Sequence, residues 1–349
     1  MSSRRRSADQ PSRATITDVA REAGVHASTV SRALNPATRG MVTEAVAARV
    51  AEVAERLGWR PSTLAAGLRT RRSRSIGILV PDLVNPVFPP IVRAAEERLA
   101  EAGYVTFVAN TDTDPTREAM IVERMAAHLV DGLMLASATE TSRALQICER
   151  FGIPTVLVNR RQPGSRHGTV VHDDLRGMAL VIAHLHGLGH RRIAHLAGPP
   201  GVSTASDRLR GFRAALTAHG LDAEAAPVVI AAAYSREAGR RAMEALLERG
   251  GFTAVASAND MLCLGIYDAL EAAGLAVGRD ISVTGFNDMP FVDRIHPPLT
   301  TVRIQHAEMG RCAADLLLAE LVSGGQGERE IVLQPELVVR SSTAPPARS

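Results

Sequence analysis

The chain has 349 residues, 46% of them hydrophobic and 22% charged, with a formal net charge of +3. This is enough apolar material for full cores in two or three domains, which excludes a disordered chain. No stretch reaches the ~18 apolar residues of a spanning helix, so no membrane association is expected. The charge is uneven: residues 1–74 hold 14 Arg against 6 acids, and the remainder holds 26 against 31. A basic amino-terminal end of this kind predicts an anionic partner for that end alone.

In chain order, residues 1–14 read as a disordered basic tail. With no apolar run behind its arginines it is neither a signal peptide nor an anchor, and the expected location is the cytoplasm. Thr15 is placed to cap a helix through "ITDVAREA", with Asp18 returning the hydrogen bond as in a capping box. Gly24 supplies a tight turn, and a second helix is expected from about Ala27 to Leu34. Val19, Ala20, Ala23, Val25, Val30 and Ala33 fall where two steeply crossing helices need small or branched apolar residues, the helix-turn-helix pattern. The outward side chains of the second helix, Ala27, Ser28, Thr29, Ser31 and Arg32, are short except for the arginine. Such a face lets a helix backbone approach a duplex, with Arg able to grip guanine O6 and N7. A third helix, "VTEAVAARVAEVAERLGW", completes the headpiece over residues 15–60. Residues 61–74 begin with Pro61 and end in an arginine-rich run; the helix they predict spans about two turns, too short to hold alone.

From Ser75 the pattern alternates between compact apolar strands and amphipathic helices, then repeats from "RIAHLAG" through "DISVTGFND". This predicts two doubly wound parallel sheets with a ligand cleft at the carboxyl ends of their strands. Cys148, Cys263 and Cys312 lie far apart and read as reduced core thiols. The histidines of "HLHGLGH" close a helix and are not read as metal ligands. "GPPG" lacks the Lys and Ser/Thr of a phosphate loop, and no G-x-S-x-G or other nucleophile arrangement is present. No cofactor, metal or catalytic residue is expected.

"TITDVAREAGVHASTVSRALN", "RPSTLAAGLR" and a two-lobed α/β core together resemble the lactose/galactose repressor family of bacterial transcription factors, from Thr15 to about Ser342. The resemblance implies an all-α helix-turn-helix headpiece on a periplasmic-binding-protein-like core over 75–345, its first lobe about 75–171 and 291–325, its second about 172–290 and 326–345. It implies a homodimer on a palindromic double-stranded operator, with DNA contacts from Thr15, Thr17, Ala27, Ser28, Thr29, Ser31, Arg32 and Asn35. Leu64, Ala65 and Leu68 follow in a hinge helix, Leu68 wedging into the minor groove, where unstacking is offset by wrapped contact. His26 stands where the family usually has a Ser or Thr cap, and Asn287 where it often has an acid.

In the core the resemblance nominates Asn85, Phe88, Asn159, Arg208, Tyr234, Asn259, Asp260 and Asn287 as effector contacts. Amides, an arginine and aromatic plates suit a polyhydroxy ligand, a sugar or polyol ahead of a nucleobase. For the Asn and Asp residues, ordinary turn chemistry is the competing explanation. Two other functions compete with a repressor. A sugar-binding receptor would share the core but needs no headpiece, and an enzyme would need a catalytic constellation beside the cleft.

Overall fold

The computed structural model describes residues 14–35, 38–59, 72–324 and 329–347. The expected basic tail up to residue 13, and hinge positions Leu64, Ala65 and Leu68, lie outside the described residues. The chain divides into two compact units, at Ser73/Arg74.

The first unit holds α1 (Ile16–Ala23), α2 (Ala27–Leu34), a 3-10 turn (Arg39–Met41) and α3 (Glu44–Arg56). The capping box at Thr15 is present in both directions, and Gly24 adopts the left-handed conformation that ends α1, with φ 64°. A residue with a Cβ is disfavoured there, so the glycine sets the angle at which α2 departs. The three helices bury Val19, Ala23, Val30, Ala33, Ala47, Val50 and Val53 against one another. An Arg56–Glu22 ion pair links α3 to α1 across the surface. Thr43 stands at the N-cap of α3 without a side-chain capping bond.

The second unit contains two six-stranded sheets. The first holds β1 (Ser75–Val80), β2 (Val105–Asn110), β3 (Gly132–Leu135), β4 (Thr155–Val158), β5 (Gly168–His172) and β11 (Glu330–Leu333), in the order β11-β5-β4-β3-β1-β2, all parallel. The second holds β6 (Ile193–Ala197), β7 (Val228–Ile230), β8 (Ala254–Ser257), β9 (Ser282–Asn287), β10 (Thr300–Arg303) and β12 (Glu336–Val338). Its order is β12-β10-β9-β8-β6-β7, with only β12 antiparallel. Between the strands run α4 (Phe88–Glu101), α5 (Pro115–Ala127), α6 (Arg143–Phe151), α7 (Asp174–Gly187), α8 (Ser203–Ala218), α9 (Arg236–Arg249), α10 (Asp260–Ala272) and α11 (His306–Ser323). Pro89 and Pro90 open α4, where their missing N–H groups cost nothing.

The chain crosses between lobes after His172, after Arg303 and after Leu333. The first crossing falls close to expectation, but the other two correct the expected divisions at 291 and 326. β10 pairs with β9 and so belongs to the second lobe, while β11 pairs with β5 and belongs to the first. Both are four-residue strands, Thr-Thr-Val-Arg and Glu-Ile-Val-Leu, with no local pattern that selects a sheet, and hydrogen-bonded pairing assigns them. Burial drives the His172 imidazole down to about 3, which keeps it neutral, and its Nε2 accepts the Gln305 N–H at 3.0 Å, joining two of the crossings. Residues 342–344 run along the second lobe: the Ser342 hydroxyl donates to the Val283 carbonyl at 2.6 Å, and His190 and Ser282 meet the Ala344 carbonyl.

Candidate functional site

In the headpiece, α2 turns Val30 and Ala33 inward and leaves Ser28, Ser31 and Arg32 exposed on one face, at the i, i+3, i+4 spacing of neighbours on a helix surface. The Arg32 guanidinium makes no hydrogen bond or ion pair among the described residues, so its donors are available. His26 performs the capping that Ser or Thr would: its Nδ1 accepts the Ser28 N–H at 3.3 Å and meets the Ser28 hydroxyl at 2.9 Å. Ser28 therefore has a local role as well as an outward position. Thr17 is exposed, while Ala27, Thr29 and Asn35 are half-buried at the margins of the same surface. The Thr15 hydroxyl is committed to Asp18, donating to its Oδ2 at 2.7 Å.

In the core, the carboxyl ends of the strands enclose a cleft of about 410 Å³. It lies at the switch points of both sheets, where β1 adjoins β3 and β6 adjoins β8. Seven of the eight nominated residues line it: Asn85, Phe88, Asn159, Arg208, Tyr234, Asn259 and Asn287. Asp260 does not, which corrects its nomination. It is fully buried beneath β9 and β10, accepting the Met289 N–H at 2.8 Å and the Thr301 hydroxyl at 2.6 Å, and burial pushes its carboxyl up to about 7. The first acid of α10 points into packing rather than into the cleft.

The lining residues divide by what they already hold. Asn85 Oδ1 accepts the Val87 N–H at 3.1 Å, and Asn259 Oδ1 caps α10 through the Leu262 N–H at 3.0 Å. Both amides do the local turn work expected of Asn, and what they offer a ligand is their remaining NH₂. Arg208 is 3% exposed and gripped from three sides: Nε donates to Asp174 Oδ1 at 2.8 Å, Nη1 to the Ala258 carbonyl at 2.6 Å, and Nη2 to Asn287 Oδ1 at 3.3 Å. Its guanidinium also lies 3.8 Å from the centre of the Phe286 ring, a cation–π contact. Burial raises the Asp174 carboxyl, and Arg208 opposes that rise. Tyr234 stands over Gly198, where a Cβ would collide with the phenol, and its hydroxyl is 3.4 Å from Thr204 Oγ1. Asn159 takes a left-handed backbone with φ 63°, and its amide side chain makes no hydrogen bond among the described residues.

Sequence reasoning missed Arg160 and Thr204, which line the same cleft. Arg160 is 4% exposed, donates from Nη1 to the Ser137 carbonyl at 3.1 Å, and among the described residues has no partner for its enclosed Nε. The available signal was position: it directly follows a strand-ending Asn in "VLVNRR". In so arginine-rich a chain that signal is weak.

A family model described as bacterial regulatory proteins, lacI family, matches residues 15–62, and one described as a periplasmic binding protein-like domain matches residues 182–343. The HTH-type transcriptional regulator DegA of Bacillus subtilis is 31% identical over 334 residues, spanning 95% of this chain and 98% of its own. A lac repressor dimer bound to operator and the anti-inducer ONPF matches with a TM-score of 0.83 at 28% identity, over 95% of this chain and 99% of its own. A lacI-family regulator from Enterococcus faecium with bound ribose matches with a TM-score of 0.69 at 29% identity, over 78% of this chain and 99% of its own.

Proposed function

The chain belongs to the lacI family of bacterial regulatory proteins, and from that premise we propose that it is a cytoplasmic repressor that binds a palindromic operator as a homodimer and answers to a small molecule in its cleft. It works by binding and not by catalysis. The observation that carries this reading is the pairing, within one chain, of a recognition helix with an unengaged Arg32 on its exposed face and a two-lobed cleft rich in amides. A solute receptor needs the cleft but has no use for the helix.

The effector class is read from the lining. Asn159, Asn259 and Thr204 supply donors and acceptors for hydroxyls, and the aromatic residues Phe88 and Tyr234 also line the cleft, a combination that suits a sugar or sugar derivative. The ribose-bound relative supports this class, and the operator-bound dimer supports the DNA-bound assembly. Leu64, Ala65 and Leu68 remain the sequence-derived choice for the minor-groove contacts. A thermal-shift screen of sugars, polyols and nucleobases against the full chain, followed by operator gel shifts with each hit, tests the whole reading. A hit that changes operator retention supports it; loss of salt-sensitive binding to every fragment of the source chromosome, with and without hits, defeats it.

A further inference from the structure

We propose that Glu140 and Arg161 of the first lobe and the opening turns of α8 on the second form a latch beside the cleft that sets how readily the two lobes part. The inference concerns the core alone and does not rest on the operator or the effector. Two short segments of the first lobe reach across. The Glu140 N–H donates to the Gly201 carbonyl at 3.0 Å, and its Oε1 accepts the Ser206 hydroxyl at 2.7 Å. The Arg161 N–H donates to the Ser203 hydroxyl at 2.9 Å, and its Nε stands 3.6 Å from Asp207 Oδ2. Ser203, Ser206 and Asp207 follow the i, i+3, i+4 spacing that puts them on one face of α8. No side chain of its own caps this helix, so the Glu140 carboxylate beside its opening turns also meets the positive end of the helix dipole.

Two properties make these contacts releasable and tie them to the cleft. The first is that parting the lobes strands no charge. Arg161 keeps Glu330 on its own lobe, Nη1 to Oε1 at 3.2 Å, and Asp207 keeps Arg210 on its own at 2.8 Å. Ser206 is exposed and Glu140 half-buried, so water reaches both. A fully buried pair would resist opening, because each partner left behind would be an uncompensated charge; exposed pairs and hydrogen bonds that water can replace contribute only modestly. Arg208 shows the contrast: Asp174 and Asn287, which hold it, belong to its own lobe, so that cluster moves with the lobe as a unit. The second property is continuity with the ligand-facing residues. Thr204 and Arg208, four apart on α8, line the cleft, and Asn159 and Arg160, which also line it, run directly into Arg161. The segments that face a ligand are the segments that carry the latch.

The test is native-state amide exchange of the full chain, resolved to single residues by fragmentation mass spectrometry, with one half of the latch altered and the other half read. Ser206→Ala removes the hydroxyl on Glu140 and should speed exchange at the Arg161 amide roughly two- to tenfold, the effect of losing one hydrogen bond on a shared opening. Asp207→Asn should do the same at the Glu140 amide. The Leu133 amide, bonded within the first lobe to the Pro154 carbonyl at 2.9 Å, should keep its rate in both variants. The inference is overturned if either variant leaves the far amide at its original rate, since the two contacts would then open independently. It is overturned equally if Leu133 speeds up by the same factor, the mark of a general loss of stability, or if the Glu140 and Arg161 amides of the unaltered chain exchange as fast as unprotected ones. The assay contains neither DNA nor ligand, so none of these results bears on the repressor reading, which stands or falls on operator binding.

Discussion

Arg32 and Arg208 show how one side-chain type takes opposite roles according to its surroundings. Arg32 is exposed and makes no side-chain hydrogen bond or ion pair among the described residues, and if it reads a guanine, Arg32→Ala should cost about 1–3 kcal/mol and relax preference at that base. A binding-site selection experiment on the variant would reveal it. Arg208 is a buried partner of Asp174, so Arg208→Ala strands a carboxylate in the core and should destabilise the second lobe by about 3–5 kcal/mol. Denaturant melts are the check, with the double change to Met at 208 and Leu at 174 expected to recover much of the loss. Glu320 offers a pH test. It is 4% exposed, neither of its oxygens makes a well-formed hydrogen bond among the described residues, and burial pushes its carboxyl up to about 7, with the Gly168 amide easing the shift. A carboxyl raised in the folded state carries no penalty below its ordinary value of 4.5, and the penalty grows until pH passes about 7. Glu320→Gln should therefore stabilise the fold by about 2–3 kcal/mol at pH 8 and by nothing at pH 4, read from melts at the two values.

At the scale of elements, the headpiece depends on short-range devices because its helices are short. α1 and α2 have eight residues each, below the ~12 that an isolated helix needs in water, so caps and mutual burial must supply the rest. Thr15→Ala removes the side-chain half of the capping box, the Thr15 hydroxyl that accepts the Asp18 N–H and donates to the Asp18 carboxylate, and leaves the backbone N–H of residue 15 on that carboxylate; it should lower headpiece stability by about 1 kcal/mol. Amide exchange in α1 would report it, and unchanged protection would show that packing on Val19 and Ala23 suffices. His26 as the cap of α2 is a departure in residue type that conserves the geometry, because an unprotonated ring nitrogen accepts an N–H as a hydroxyl does. In the core, the strand-ending residues Asn159, Asn259 and Asn287 come together in one cleft because parallel strands all end on the same side.

At the scale of the whole molecule, the function requires the ligand and the operator to feel each other. If they are coupled, the coupling is reciprocal: ligand changes operator affinity by some 5- to 150-fold, about 1–3 kcal/mol, and operator changes ligand affinity by the same factor. Titrations of ligand with and without bound operator measure the factor, and a factor of one would rule out the coupling. The signals legible in the sequence were those whose physics acts within a few residues. The Thr15 cap, the Gly24 turn, the burial of Val30 and Ala33, and the alternation of strands and helices after Ser75 depend on neighbours three or four positions away, or on the period of the pattern itself. Tertiary structure alone assigned β10 and β11 to their sheets, turned Asp260 inward to Thr301, and joined Arg208 to Asp174, Ala258 and Asn287, which are 34, 50 and 79 positions distant. It also left Arg160 buried with donors to spare. Hydrogen bonds over such separations are set by how the strands are ordered, and no local pattern of residues encodes that order.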